Sequence, residues 1–190
     1  MSILKTQKVF LISGPSAVGK DTVIDIIKKK YTNFHYVITA VTRKPRSNEK
    51  EGINHFFLNN KEFTNLINND ELLEWSKVYK NYYGVPKNQI YKPLCEGKNV
   101  LLRVDVQGAK KLKKILPNII MIFIKPESID SIKNHLLARE KKSESDIRTR
   151  LDSFASEMEY SKYFDHIVTN IEDKIEYVVS EVEDIIKSNI

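Results

Sequence analysis

The stretch GPSAVGKDT, Gly14 to Thr22, decides the fold. It has the GxxxxGK spacing of a phosphate loop. It follows a short apolar run rich in strand formers, Val9 to Ser13, and opens DTVIDIIKKK, where Val23, Ile26 and Ile27 repeat at helical spacing. A strand, a glycine-containing turn and a helix are the context this motif requires. Gly14 and Gly19 let the backbone turn so that successive N–H groups point at phosphate oxygens, with Pro15, Ser16, Ala17 and Val18 forming the cradle between them. The helix N-terminus adds its positive dipole end, and Lys20 brings a mobile charge to the outer phosphates. Asp21 stands where Ser or Thr usually follows the lysine, and Thr22 is next. Either the Asp21 carboxylate or the Thr22 hydroxyl can reach a magnesium ion carried with the phosphates; the plainer reading makes Asp21 a favourable helix-start residue. The plainer reading of the whole motif is a tight strand-to-helix turn that binds nothing.

Outward from the loop the chain alternates. Asn99 to Asp105 (NVLLRVD) precedes the helical QGAKKLKKIL, Ile119 to Ile124 (IIMIFI) precedes a helix beginning near Ser128, and His166 to Thr169 precedes IEDKIEYVVSEVEDIIK. Buried strands alternating with helices predict an α/β fold, a parallel β-sheet covered by helices on both faces. Between about Phe34 and Gly84 the pattern changes to short polar and aromatic segments, with helical spacing only in KEFTNLINN. This predicts an inserted, mostly β subdomain. The core then takes residues 1–33, 85–139 and 151–190, the insertion 34–84. A second insertion, about 140–150, is rich in Glu, Lys and Ser and is expected to be exposed and mobile.

Composition bounds the function. With 190 residues, 41% hydrophobic, the chain suits one packed domain. No apolar run approaches bilayer length and the N-terminus lacks a cleavage pattern, so a cytoplasmic protein with no membrane partner is expected. Cys95 is the only cysteine, which excludes a disulfide framework and is expected to be a small core residue. The net charge of +6 suits a polyanionic small molecule as well as nucleic acid. The lysines read as solvated helix faces: Lys28 to Lys30 close a helix, and Lys110, Lys111, Lys113 and Lys114 line another. No aromatic residues interleave with them, so no nucleic-acid partner is expected. His35 and His166 lie in strand-like runs and read as structural; no histidine pair has metal-ligand spacing.

A phosphate loop also serves GTPases and motors, but the chain has no NKxD base-recognition motif and is short for a motor. After the loop comes TAVTRKPRSNEKEG, Thr39 to Gly52. Arg43 and Arg46, with Pro45 stiffening the backbone between them, can grip one phosphate as paired forks.

Taken in order, the phosphate loop, TRxPRxxExxG, LLEW, NYYG and VDVQGA resemble the guanylate kinases over nearly the whole chain, from about Val9 to the last helix. The resemblance implies a P-loop kinase fold with a parallel sheet core, a monophosphate-binding subdomain and a small lid at about 140–150. It implies ATP and magnesium as donor and cofactor, GMP (and dGMP) as acceptor, ATP held by Gly14 to Thr22, and a monomer or homodimer. By position, Arg43, Arg46 and Tyr83 would bind the acceptor phosphate, Glu49 would order the arginines, and Thr39 would contact the base. Glu74 would read guanine, since a carboxylate accepts two hydrogen bonds from N1–H and the 2-amino group, a pattern adenine does not offer. Its plainer role is an exposed strand residue beside a packed Trp75. Asp105 would hold the magnesium shell or a substrate group, and Arg139 and Arg150 would close over the transferred group beside Lys20.

Departures from the family pattern set the alternatives. His55 stands where a tyrosine commonly meets the acceptor phosphate; protonation would strengthen its hydrogen bond and make activity depend on pH. Val85 replaces a hydroxyl residue near the base, Arg103 an acidic residue, and His135 a lid-proximal arginine. If Val85 and Arg103 reshape the base pocket, the chain would be a kinase for another nucleoside monophosphate. A non-catalytic module holding a phosphopeptide on the same arginines is the other reading; the loop and lid charges speak against it.

Overall fold

The computed structural model describes residues 7–78, 80–138 and 144–190, with the backbone alone at 138 and 144–147. The chain forms two compact units. One takes Phe10–Thr32, Arg103–Val106 and the described part of the chain from Ile120 onward; the other takes Asn33–Leu102, Gln107–Ile119 and the segment ending at Val9.

The first unit is built on three parallel strands, β1 (Val9–Ser13), β8 (Ile120–Pro126) and β9 (His166–Asn170), in the order β1-β8-β9. Phe10 sits opposite Ile120 and Ser13 opposite Phe123, and Ile122 lies opposite His166. All five residues of β1 are buried, which explains why its sequence is a continuous apolar run rather than an alternating one. Helix α1 (Lys20–Lys30) buries Val23 and Ile27, one turn apart. Helix α5 (Ile129–Ala138) lies against β8, and α7 (Ile175–Lys187) lies against β9 and α1. The buried stripe of α7 is Val178, Val179, Val182 and Ile186, and each such side chain contributes about 2 kcal/mol through lost water contact. The basic end of α1 is tied to this helix by Lys30 and Glu183 at 2.7 Å.

From Glu144 onward the polar segment is helix: α6 runs Glu144–Glu159. Glu, Arg and Leu are good helix formers, which suits a helix here. Residues 139–143, including Arg139, lie outside the described residues.

The second unit holds a four-stranded sheet, β4 (His55–Phe57), β3 (Thr39–Val41), β6 (Asn81–Pro86) and β5 (Leu72–Val78), in the order β4-β3-β6-β5. Strands β5 and β6 form an antiparallel pair, and β3 pairs with β4 in parallel. Helix α2 (Asn60–Asn68) covers Phe63 and closes a core of Ala40, Phe63 and Leu72, with Phe56, Leu66 and Tyr82 packed against it. The helix starts where it does because Asn59 and Glu62 form a capping box, the Asn59 side chain accepting from the Glu62 N–H at 2.9 Å and Glu62 accepting from the Asn59 N–H at 2.7 Å. β2 (His35–Tyr36) does not join this sheet. It pairs in parallel with β7 (Val100–Arg103), His35 opposite Val100, because the N–H groups of His35 and Val37 donate to Asn99 and Leu101 oxygens at 2.8 and 3.0 Å.

One sequence expectation fails in this unit. Cys95 is exposed at the end of α3 (Asn88–Cys95), whose buried face is Ile90, Pro93 and Leu94, so helical phase puts position 95 outward. On α4 (Val106–Ile115) Lys110, Lys111 and Lys114 are exposed as expected, and Lys111 and Lys113 in addition donate to the backbone oxygens of Trp75 and Ile119.

Candidate active site

The phosphate loop has the geometry its glycines suggested. Gly14 has φ +145°, and a β-carbon there would collide with the Ile124 carbonyl oxygen. Gly19 has φ +91°, and a β-carbon would lie 2.9 Å from the Asn170 side-chain nitrogen, which itself donates to the Val18 oxygen at 2.8 Å. Between them Ala17 takes the left-handed conformation, φ 67°, the kind of local strain that a ligand-binding loop retains. Gly19 caps α1 without any side-chain hydrogen bond, so the helix's first N–H groups are not claimed by a cap and suit an anion. Lys20 Nζ donates to the Gly14 and Pro15 oxygens at 2.6 and 2.7 Å, an arrangement that keeps the ammonium over the loop.

Helix α6 reaches the same loop from outside it. Arg150 Nη1 donates to Ser16 Oγ at 2.5 Å, and Glu157, two turns on, accepts from the Ser16 backbone N–H, while the Ser153 hydroxyl between them donates to the Arg150 carbonyl oxygen at 3.0 Å. Positions 150, 153 and 157 share one helix face. Burial pushes the Glu157 carboxyl up, Lys20 favours its ionised form and Asp105 opposes it, so Glu157, Asp105 and Lys20 form one electrostatic group. Asp105 therefore sits with the phosphate loop. Glu157 is the functional candidate that the sequence reading missed; the only signal was its i+7 spacing from Arg150.

Asp21 does not fit the role of magnesium ligand. Its carboxylate is ion-paired with the Arg103 guanidinium, a cation where a metal would otherwise bind. Thr22 is exposed one residue further along α1. Among the described residues no group of three His, Cys, Asp or Glu side chains is placed to hold a metal.

The second cluster belongs to the four-stranded sheet. Arg43 and Glu49 form a bidentate pair, Nη1 to Oε2 at 2.5 Å and Nη2 to Oε1 at 2.7 Å. The Arg46 backbone N–H donates to Glu49 Oε2 at 2.9 Å and its guanidinium lies 3.5 Å from Oε1. Tyr83, on β6, hydrogen-bonds the Arg43 side chain. Burial alone would raise the Glu49 carboxyl, but the Arg43 hydrogen bonds and the Arg46 N–H outweigh it and hold it at about 2. Arg43, Arg46, Glu49 and Tyr83 are thus brought together as the sequence suggested.

His55 and Thr39 face each other across β3 and β4, with Thr39 Oγ1 2.8 Å from His55 Nδ1. Burial, together with the charge of Arg43, lowers the imidazole to about 4, so His55 is neutral near pH 7 and the expected protonation switch is absent there.

Glu74 is 6% exposed while Trp75 is 39% exposed, the reverse of the plainer reading. A register shift between Leu72 and Glu74 marks a β-bulge, which re-aims the strand, and Glu74 then lies opposite Val85, itself buried. An apolar wall thus stands beside a buried carboxylate.

The family model for guanylate kinase matches residues 6–189. The chain belongs to the guanylate kinase family. It is 39% identical to the guanylate kinase of Caldanaerobacter subterraneus subsp. tengcongensis over 98% of this chain and 89% of that one. It is 38% identical to that of Bacillus cereus over 93% and 85%. The crystal structure of guanylate kinase from Anaplasma phagocytophilum superimposes with a TM-score of 0.77 at 27% identity, covering 98% of this chain and 88% of that one. The fold is accordingly that of the P-loop kinases, as the alternating pattern and the phosphate loop implied. Among the departures from the guanylate kinase pattern, Val85 lies across from Glu74, whereas Arg103 is engaged with Asp21 of the phosphate loop. His135 directs Nδ1 at the Ala17 oxygen, 3.3 Å away, so it too attends the loop.

Proposed function

We propose that this guanylate kinase family member transfers the γ-phosphoryl group of ATP to GMP, and to dGMP, giving ADP and GDP or dGDP. The observation that carries the reading is Glu74, a carboxylate buried in the sheet that also holds the Arg43, Arg46, Glu49 and Tyr83 cluster. A carboxylate accepts two hydrogen bonds side by side, and guanine presents two adjacent N–H donors on one edge. The paired arginines supply a dianion site of the right chemistry for the acceptor phosphate.

No protein nucleophile is needed. A phosphate oxygen of GMP attacks the γ-phosphorus, the bond to the β-phosphate oxygen breaks, and ADP leaves with that oxygen. The chain's part is to hold two mutually repelling anions in line and to offset the charge of the moving group. Lys20 would exchange the Gly14 and Pro15 oxygens for phosphate oxygens. Arg150, already at Ser16, would turn to the transferred group, with Arg139 as its partner by family resemblance. Glu157 would keep the loop and Lys20 in place. Magnesium bound with ATP would supply further neutralisation, with the Thr22 hydroxyl or the Asp105 carboxylate to hold it, since Asp21 is engaged by Arg103. The exposed thiol of Cys95 suits a reducing compartment, and we place the protein in the cytoplasm.

A coupled assay with ATP and each of GMP, dGMP, AMP, UMP and CMP tests the reading. Turnover of GMP and dGMP is expected, with kcat/KM for the others about 10² to 10³-fold lower. Equal use of AMP would overturn guanine recognition, and no turnover at all would overturn the kinase. Glu74→Gln is expected to lower kcat/KM for GMP about 10²-fold with ATP affinity kept; equal loss of both would remove Glu74 from the base site.

A further inference from the structure

Asp21 departs from the usual phosphate-loop pattern and Arg103 from the guanylate kinase pattern; the two carry opposite charge and meet as an ion pair in the structure. Asp21 stands in the first turn of α1, directly after Lys20, where the helix N-terminus has no side-chain cap. Lys20 already shares its surroundings with two other acids, Asp105 and Glu157. A third carboxylate with its full charge would oppose a polyphosphate at the point where the loop must attract one. Both side chains are partly shielded, Asp21 41% and Arg103 26% exposed, so the charges act through a medium less polar than bulk water.

We propose that Arg103 is a positioning residue for the donor site: it neutralises Asp21 and so keeps the phosphate loop attractive to the triphosphate, the two exchanges compensating one another. The inference rests on the loop binding ATP. It differs from a direct contact of Arg103 with the nucleotide, because then the benefit of Arg103 would not depend on Asp21. It also explains how the chain tolerates an acid at a position where Ser or Thr usually follows the lysine.

The test is a double-mutant cycle on the full chain, read as the Kd of metal-free ATP in EDTA by calorimetric titration, with thermal unfolding of every variant as the control for folding. Arg103→Met is expected to weaken ATP binding about tenfold or more, the size of one uncompensated charge near the phosphates. Asp21→Ser in the Arg103→Met background is expected to recover most of that loss, and Arg103→Lys, which retains the charge, to stay within about threefold of the unchanged chain. If Arg103→Met unfolds, Arg103→Gln takes its place in the same cycle. Equal loss with and without Asp21, or no loss in Arg103→Met, overturns the compensation while leaving the kinase reading intact. Failure of the unchanged chain to bind ATP overturns both.

Discussion

The phosphate loop and the four-stranded sheet, to which the proposed function gives the same task of holding phosphate, are built by different means. The loop is nine consecutive residues whose donors are mainly backbone N–H groups, aimed by positive φ at Gly14, Ala17 and Gly19. The sheet draws on Thr39, Arg43, Arg46, Glu49, His55, Glu74 and Tyr83, and its donors are side chains already tied to one another. A backbone cradle tolerates changes of side chain so long as its glycines and Lys20 remain, which is why Asp21 can replace a hydroxyl residue if its charge is answered. A side-chain cluster is different. Glu49 orders two arginines before any phosphate arrives, which lowers the entropy cost of binding but makes the whole grip depend on one carboxylate.

The largest effect that bears on this contrast is expected at Lys20. Lys20→Met should lower kcat/KM about 10³-fold while the affinity for GMP, read by titration without ATP, stays put. A parallel loss of GMP affinity would mean that the two regions do not divide the work as described. Next comes Glu49→Gln, which should raise KM for GMP about 10 to 10²-fold with a smaller change in kcat, because Arg43 and Arg46 lose the group that holds them in place. The same acid shapes stability. Its folded-state value of about 2 lies below the ordinary 4.5, so its contribution is present above pH 4.5 and is lost as pH falls toward 2. Acid unfolding of Glu49→Gln should therefore lack that part of the slope.

His55 should give the smallest effect. Burial lowers it from 6.5 to about 4, so the unfolded chain binds the extra proton first; its share of stability is present above pH 6.5 and declines as pH falls toward 4. Denaturant titrations between pH 7 and 5 should show that decline, and His55→Tyr should reduce it. Between pH 6.5 and 8.5 the wild-type kcat/KM should show no step assignable to His55. A step near 6.5 that vanishes in His55→Tyr would restore the protonation switch and break the picture of a neutral, strand-locked imidazole.

Legibility in the sequence followed the same divide. The loop could be read from spacing because every group it needs lies within one turn and one helix start. Strands β1 and β8 could be read because strands buried on both faces leave nearly continuous apolar runs, whereas β9, with only Val168 buried, was read from the helical pattern that follows it. Arg43 and Arg46 could be read as a phosphate grip from their own spacing, but the roles of Glu49 and Tyr83 came through family resemblance, since nothing in local spacing says that position 83 meets position 43. Glu74 was ambiguous: in the strand LLEWSKV an alternating pattern allows either Glu74 or Trp75 to face inward, and the bulge after Leu72 settled it. Cys95 was misread because a lone apolar residue has no phase until its helix is defined. The polar stretch after residue 140 was read only as exposed and mobile, with no secondary structure assigned, because charge is common to exposed loops and exposed helix faces alike.

By itself, then, the sequence determined the chemistry of the donor loop, the order of strands and helices, and the family, because those properties are written in residues close together along the chain. Only the tertiary structure decided that Asp21 faces Arg103, that Arg150 and Glu157 both reach Ser16, that His55 is neutral against Thr39, and that Glu74 rather than Trp75 is buried. Each of these depends on which charges and dipoles are brought within a few ångströms and shielded from water. Coulombic and desolvation energies vary with that separation and burial, and residues 82 or 134 positions apart acquire them only when the chain folds.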